Sequence, residues 1–213
     1  MPLQISPFDG NVWFLVHGGK LLRTRDGSQT WRDIPGLPAL SASVLVAGQA
    51  FGQFYLASGA TVFSLIDNGQ QVVGQPSLQA GESVIGLAAV GGGDTTLFAR
   101  GSSGGLYLLK GNTWSALTGA PAGPIAAGAN GILVVGNGGA KLGSPGMVAY
   151  SIDGGVNWRQ AAGLAYDQSV EAHAGQPSSV TFLANCYGGD IYISTDGGRA
   201  WALLSRALRS TAG

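Results

Sequence analysis

The chain predicts an all-β fold, a five-bladed β-propeller built from four-stranded antiparallel blades. Three observations predict it: an eight-residue motif recurring at multiples of roughly 42 residues, four short apolar runs in each unit so defined, and abundant glycine with little charge. The motif reads TRDGSQTW over Thr24 to Trp31, SIDGGVNW over Ser151 to Trp158 and STDGGRAW over Ser194 to Trp201. Asp153 and Asp196 stand 43 residues apart, and Asp26 and Asp153 stand 127 apart, or three steps of the same period. Two worn copies fill the gap, Ser64 to Gly69 around Asp67, and Lys110 to Trp114.

Superposing the chain on this period gives one domain, residues 1–213, with five blades near 1–40, 41–80, 81–122, 123–166 and 167–213. The first apolar runs are Leu3 to Phe8, Ser43 to Ala47, Val84 to Ala89, Pro124 to Ala127 and Val170 to Ala174. The second are Val12 to Val16, Gln53 to Ala57, Thr95 to Ala99, Ile132 to Val135 and Val180 to Ala184. The third are Lys20 to Thr24, Thr61 to Leu65, Gly105 to Leu109, Met147 to Ser151 and Asp190 to Ser194, each leading straight into the recurrent turn. The fourth begins near the repeated tryptophan. Runs of this length, rich in Val, Ile, Tyr and Phe and separated by glycines, are hairpin-joined strands. One four-stranded sheet cannot cover both its faces, so neighbouring sheets must pack face to face and the array must close radially. The tail, Ala202 to Arg209, fits a short helix or a terminal strand equally well.

In each motif the aspartate can fold back onto backbone amides, glycine can take a positive φ, and the tryptophan can bury its ring as it opens strand four. The pattern resembles the Asp-box, or BNR, repeat of sialidases and many other propellers. The match covers three copies; Val72 replaces the tryptophan in the second unit and Lys110 the aspartate in the third. The resemblance implies a structural role for Thr24, Asp26, Gly27 and Trp31, for Ser151, Asp153, Gly155 and Trp158, and for Ser194, Asp196, Gly198 and Trp201. It also implies that ligands bind at the opposite face, on loops joining strands two and three and on those linking blades.

The longest such loops, Gly136 to Gly146 and Gly163 to Gln168, nominate Lys141, Tyr166 and Asp167 as ligand-face residues, with Tyr187 as a further loop aromatic. Glu171 and His173 alternate on one side of an expected channel-lining strand. They are either an acid/base pair or a hydrogen-bonded pair filling a wet channel, and the absence of convergent partners favours the second. Sialidase chemistry as the resemblance implies it needs an arginine triad, a tyrosine nucleophile with a glutamate partner, and an acidic aspartate; the chain holds eight Arg and two Glu, Glu82 and Glu171. The Phe/Tyr-Arg-Ile-Pro signature of that family is absent, approached only by Trp31 to Pro35.

Eleven basic residues balance eleven acidic ones with no run of either sign, which disfavours nucleic acid and anionic membranes as partners. Two His and one Cys show no zinc spacing, the Asp-Gly turns lack a calcium loop's alternating acids, and neither metal nor cofactor is expected. No apolar stretch reaches membrane-helix length and no secretory leader begins the sequence, leaving virion, cytoplasmic and processed extracellular locations open. The expectation is therefore a non-catalytic recognition or scaffold module that binds a protein or glycan, as a homo-oligomer or within a larger assembly such as a phage virion or cell-surface complex. The alternatives are a glycan-binding or glycan-cleaving protein, and an assembly factor similar to those of photosynthetic membranes.

Overall fold

A computed structural model describes residues 2–48, 50–90, 96–137, 147–163, 170–174, 180–186 and 190–206. Its strands form five four-stranded antiparallel sheets among the described residues. The first holds β1 (Leu3–Ile5), β2 (Trp13–His17), β3 (Lys20–Thr24) and β4 (Arg32–Asp33), and the second β5 (Ser43–Ala47), β6 (Phe54–Ser58), β7 (Thr61–Ile66) and β8 (Gln71–Gln75). The third holds β9 (Val84–Val90), β10 (Thr96–Gly101), β11 (Leu106–Lys110) and β12 (Thr113–Leu117). The fourth holds β13 (Ile125–Ala127), β14 (Leu133–Asn137), β15 (Met147–Ser151) and β16 (Arg159–Gln160). The fifth holds β17 (Val170–Ala174), β18 (Phe182–Cys186), β19 (Ile191–Ser194) and β20 (Ala202–Ser205). Each sheet runs in chain order, so every pairing is a hairpin.

The chain divides into two compact units, residues 1–116 and 117–213. In the first unit, alternation decides which face each strand buries. Along β2, Phe14 and Val16 are buried while Trp13 and Leu15 are half-buried, the period of two expected of a strand covered well on one face. Phe14 packs on Phe54 of β6 with ring centroids 4.4 Å apart, inside a core that adds Val12, Leu21 and Ile34 from the first sheet and Leu56 and Leu65 from the second. Strand β6 buries both faces: Phe54 and Leu56 turn to the first sheet, Tyr55 and Ala57 to Val84, Leu87, Leu97 and Tyr107 of the third. That is why FYLA reads as an unbroken apolar run. In the second unit, Ala126, Val134 and Val148 of the fourth sheet meet Phe182, Ala184, Tyr192 and Trp201 of the fifth.

Two boundaries differ from expectation for a hydrogen-bonding reason, and one open alternative is decided. The first strand stops at Ile5 because Ser6 Oγ accepts the N–H groups of Phe8 and Asp9, each at 3.2 Å, turning the chain at Pro7, which has no N–H to give. The recurrent tryptophans precede the fourth strands rather than opening them. In the fifth sheet the cause is visible: Trp201 N donates to Ala162 O at 3.0 Å and Ala162 N to Arg199 O at 2.9 Å, so this stretch pairs with the end of the fourth sheet instead of its own ladder. The tail settles as a strand over Ala202–Ser205.

Phe14 has no exposed surface, so Phe14→Ala is expected to lower stability by about 3–5 kcal/mol. Urea denaturation of the two proteins checks this; a shift below about 1 kcal/mol would mean the first two sheets do not share the core described.

Candidate functional site

The three recurrent turns use their polar groups in the same way. The first residue, Thr24, Ser151 or Ser194, is buried to 1% exposure. Its hydroxyl donates to the aspartate Oδ1, at 2.6 Å for Asp26, 2.7 Å for Asp153 and 2.8 Å for Asp196. The same oxygen accepts the N–H of the fifth residue, Ser28, Gly155 or Gly198, at 3.1, 2.9 and 2.9 Å. Oδ1 in turn accepts the N–H of the seventh residue, Thr30, Asn157 or Ala200, at 2.9, 2.9 and 3.1 Å. Thr30 and Asn157 add a side-chain bond to Oδ2, which Ala200 lacks the atoms to make.

Donors aimed at a carboxylate favour its charged form. The hydroxyls of Thr24 and Thr30 hold Asp26 down to about 2, and the Asn157 backbone and amide N–H groups with the Ser151 hydroxyl do the same for Asp153. At Asp196 burial pushes upward, yet the N–H of Ala200 and the Ser194 hydroxyl outweigh it and the group stays below the usual range. Lone pairs engaged this way are not poised to take or give a proton to a substrate.

The turns also stitch the ends of four of the five sheets. The N–H after the aspartate position donates to the carbonyl of the loop between the sheet's first two strands: Gly27 to Asn11, Asn68 to Gly52, Gly154 to Gly131 and Gly197 to Val180, at 2.8 to 3.2 Å. The worn second copy thus keeps this bond although Asp67, at φ 51, forms a different turn. Glycine is required at Gly198, where φ is 83 and a Cβ would lie 2.5 Å from Val134 Cγ2. Trp158 and Trp201 donate Nε1 to the carbonyls of Gly155 and Gly198 at 3.0 Å, and Trp201 is buried while Trp158 and Trp31 are half-buried.

Of the other residues nominated by sequence, Glu171 and His173 lie on β17 with backbone register opposite Asn185 and Leu183. Lys141, Tyr166, Asp167 and Tyr187 lie outside the described residues. Among the described residues no three of His, Cys, Asp and Glu gather as metal ligands.

Two features escaped the sequence. Glu82, 8% exposed, accepts Ser102 Oγ at 3.2 Å, Ser103 N and Tyr107 OH at 3.1 Å, and the Ser103 hydroxyl. The Ser103 donors hold its carboxyl below the usual range, and burial with the adjacent carboxylate raises the Tyr107 phenol. A Cβ at Gly101 would stand 2.5 Å from Glu82 Oε2, so this glycine admits the carboxylate. The only sequence signal was the Ser102-Ser103 pair. The second feature is an exposed contact between Phe8 and Phe51, residues placed 43 apart by the repeat itself.

No family model matches the chain, and no curated protein does. Solved structures do. A structure of YCF48 bound to a D1 peptide superposes with a TM-score of 0.62 at 19% identity, over 92% of this chain and 64% of that one. The GH74 xyloglucanase of Xanthomonas campestris gives 0.67 at 16% identity over 97% and 39%, and the GH74 enzyme of Niastella koreensis 0.59 at 15% over 94% and 37%. The fold is that of a β-propeller. The chain spans less than two thirds of the length of each of these three propellers, and at such identities the likeness is one of fold.

Two predictions come from the turns. A depressed carboxylate contributes stability fully above the unfolded value near 4, and that contribution is lost as pH falls toward the folded value. The thermal midpoint should therefore drop between about pH 4 and about pH 2, and Asp26→Asn with Asp153→Asn should flatten that fall while lowering the midpoint at pH 7. Identical pH profiles would rule the turns out as its source. Ser28 holds φ 78 where the other copies carry Gly155 and Gly198. Relief of that left-handed strain, partly offset by glycine's greater unfolded entropy, should make Ser28→Gly more stable by about 0.5 kcal/mol; a lower calorimetric midpoint would contradict it.

Proposed function

We propose that the five sheets are the blades of one five-bladed propeller, with limits near residues 40, 80, 122 and 166, that its recurrent turns are Asp-boxes, and that it works as a non-catalytic protein-recognition module within a larger assembly. The observation that carries this is the state of the repeated carboxylates: Asp26, Asp153 and Asp196 each accept the hydroxyl and an amide of their own turn on Oδ1, and Asp26 and Asp153 engage Oδ2 as well. A glycoside-cleaving site needs two carboxyl groups facing one bond, one free to donate a proton and one free to accept or attack. Among the described residues Glu82 is likewise occupied, by Ser102, Ser103 and Tyr107.

Support for a protein partner comes from the similar propeller that holds a D1 peptide. Another similar propeller is a xyloglucanase, so both outcomes are measurable on one preparation. The folded protein is passed over an array of synthetic peptides and, separately, incubated with xyloglucan. Saturable capture of peptides with no release of reducing sugar is the expected result. Sugar release that persists through repeated purification and disappears on Glu171→Gln would overturn the non-catalytic reading.

A further inference from the structure

One corner of the first unit combines features that its own packing does not explain. Phe8, between β1 and β2, and Phe51, between β5 and β6, are 48% and 66% exposed, yet their rings meet edge to face with centroids 6.3 Å apart. Both lie at the sheet ends where the Asp turns are stitched, since Asn11 and Gly52 of the same two loops accept the turn amides. Ile66, at the end of β7, adds a third exposed apolar side chain. A solvent-facing aromatic pair costs hydration without stabilising a core.

Beside it lies concentrated positive charge. Asn68, whose N–H is held by Gly52 next to Phe51, accepts the Arg23 guanidinium on its carbonyl. Arg23 stands directly opposite Arg32 across β3 and β4, and Arg25 follows two residues on. Three of the chain's eight arginines thus fall within ten residues, in a protein whose eleven cations, these included, balance eleven anions. Like charges opposed across a ladder destabilise it. Among the described residues none of the three arginines forms an ion pair with a carboxylate: Asp33 pairs with Lys20, Asp26 keeps its charge but turns its oxygens to its own turn, and at Arg23 burial, then Arg25 and Arg32, disfavour the charge that Asp67 favours.

We propose that Phe8 and Phe51, with Arg23, Arg25 and Arg32, form a docking surface for an acidic peptide segment that carries an apolar or aromatic side chain. This rests on the protein-recognition reading above and places the surface at the end bearing the Asp turns. Charge complementarity selects the partner: its carboxylates offset the opposed arginines through bidentate pairs, and its apolar side chain covers the phenylalanine edges. A partner of one chemistry alone would satisfy half the surface.

The test uses the full chain and three fluorescein-labelled dodecapeptides, one alternating Glu-Glu-Trp, one with every Trp replaced by Ser, and one with every Glu replaced by Gln. Fluorescence anisotropy should show the first binding most tightly, more weakly with rising salt. Two double variants, Phe8→Ser with Phe51→Ser and Arg25→Glu with Arg32→Glu, should each weaken it by about tenfold or more. Both change exposed positions, so unaltered thermal midpoints confirm folding. Undiminished binding by both folded variants would overturn this surface while leaving peptide recognition intact. Equal binding of the Ser-substituted peptide or of heparin would reduce it to a polyanion patch and overturn the proposal. Failure of every peptide here and on the array would remove the protein-recognition reading itself.

Discussion

A buried hydroxyl bonded simultaneously to a carboxylate and a backbone amide is the interaction on which the turn-bearing ends of the first, fourth and fifth sheets depend. Thr24, Ser151 and Ser194 have almost no access to water, so an unmatched hydroxyl there would cost about 1–3 kcal/mol. The aspartate two residues on supplies the acceptor and the amide four residues on supplies the donor. Once that triangle forms, the residue after the aspartate aims its N–H at the neighbouring loop, and two hairpins of one sheet become a single end. The aspartate is therefore held by water-excluded chemistry beneath it, even though its own carboxylate sits near the surface.

Much of this architecture was legible because the two relevant signals are local. Strand periodicity and turn chemistry both act within a few residues, and a period near 43 repeats them often enough to reveal the unit. Five sheets in chain order follow from hairpin connections alone. The errors fall where a hydrogen bond overrides the strand pattern, once by leaving its own repeat and once through a side chain within it. Nothing in the order of residues around Trp201 says that its N–H belongs to Ala162 of the preceding sheet, nor that Ser6 will take two amides and end β1 early.

The candidate surfaces were harder to see for the same reason. Glu82 lies outside any motif, and its donors arrive from a loop some twenty residues later that composition describes as glycine and serine. Phe8 looked like the end of a strand, and Phe51 belonged to no run at all. Their contact arises because equivalent loops of adjacent sheets are brought side by side, a product of the repeat rather than of either segment. The arginines show the converse: each sits in an ordinary strand or turn, and only the register Arg23 opposite Arg32 turns them into a cluster.

The seam at Gly163 limits how freely such repeats can be shuffled. There the carbonyl of Trp201 would lie 2.2 Å from any added Cβ, and φ is 86, so a bare α-carbon is obligatory on the donor side of the junction. A duplicated or transplanted last module would carry its own tryptophan corner but not the residue that accommodates it, which lives in the module before. The two must be inherited together, and gene rearrangements that split them would yield a joint blocked by a single methyl group.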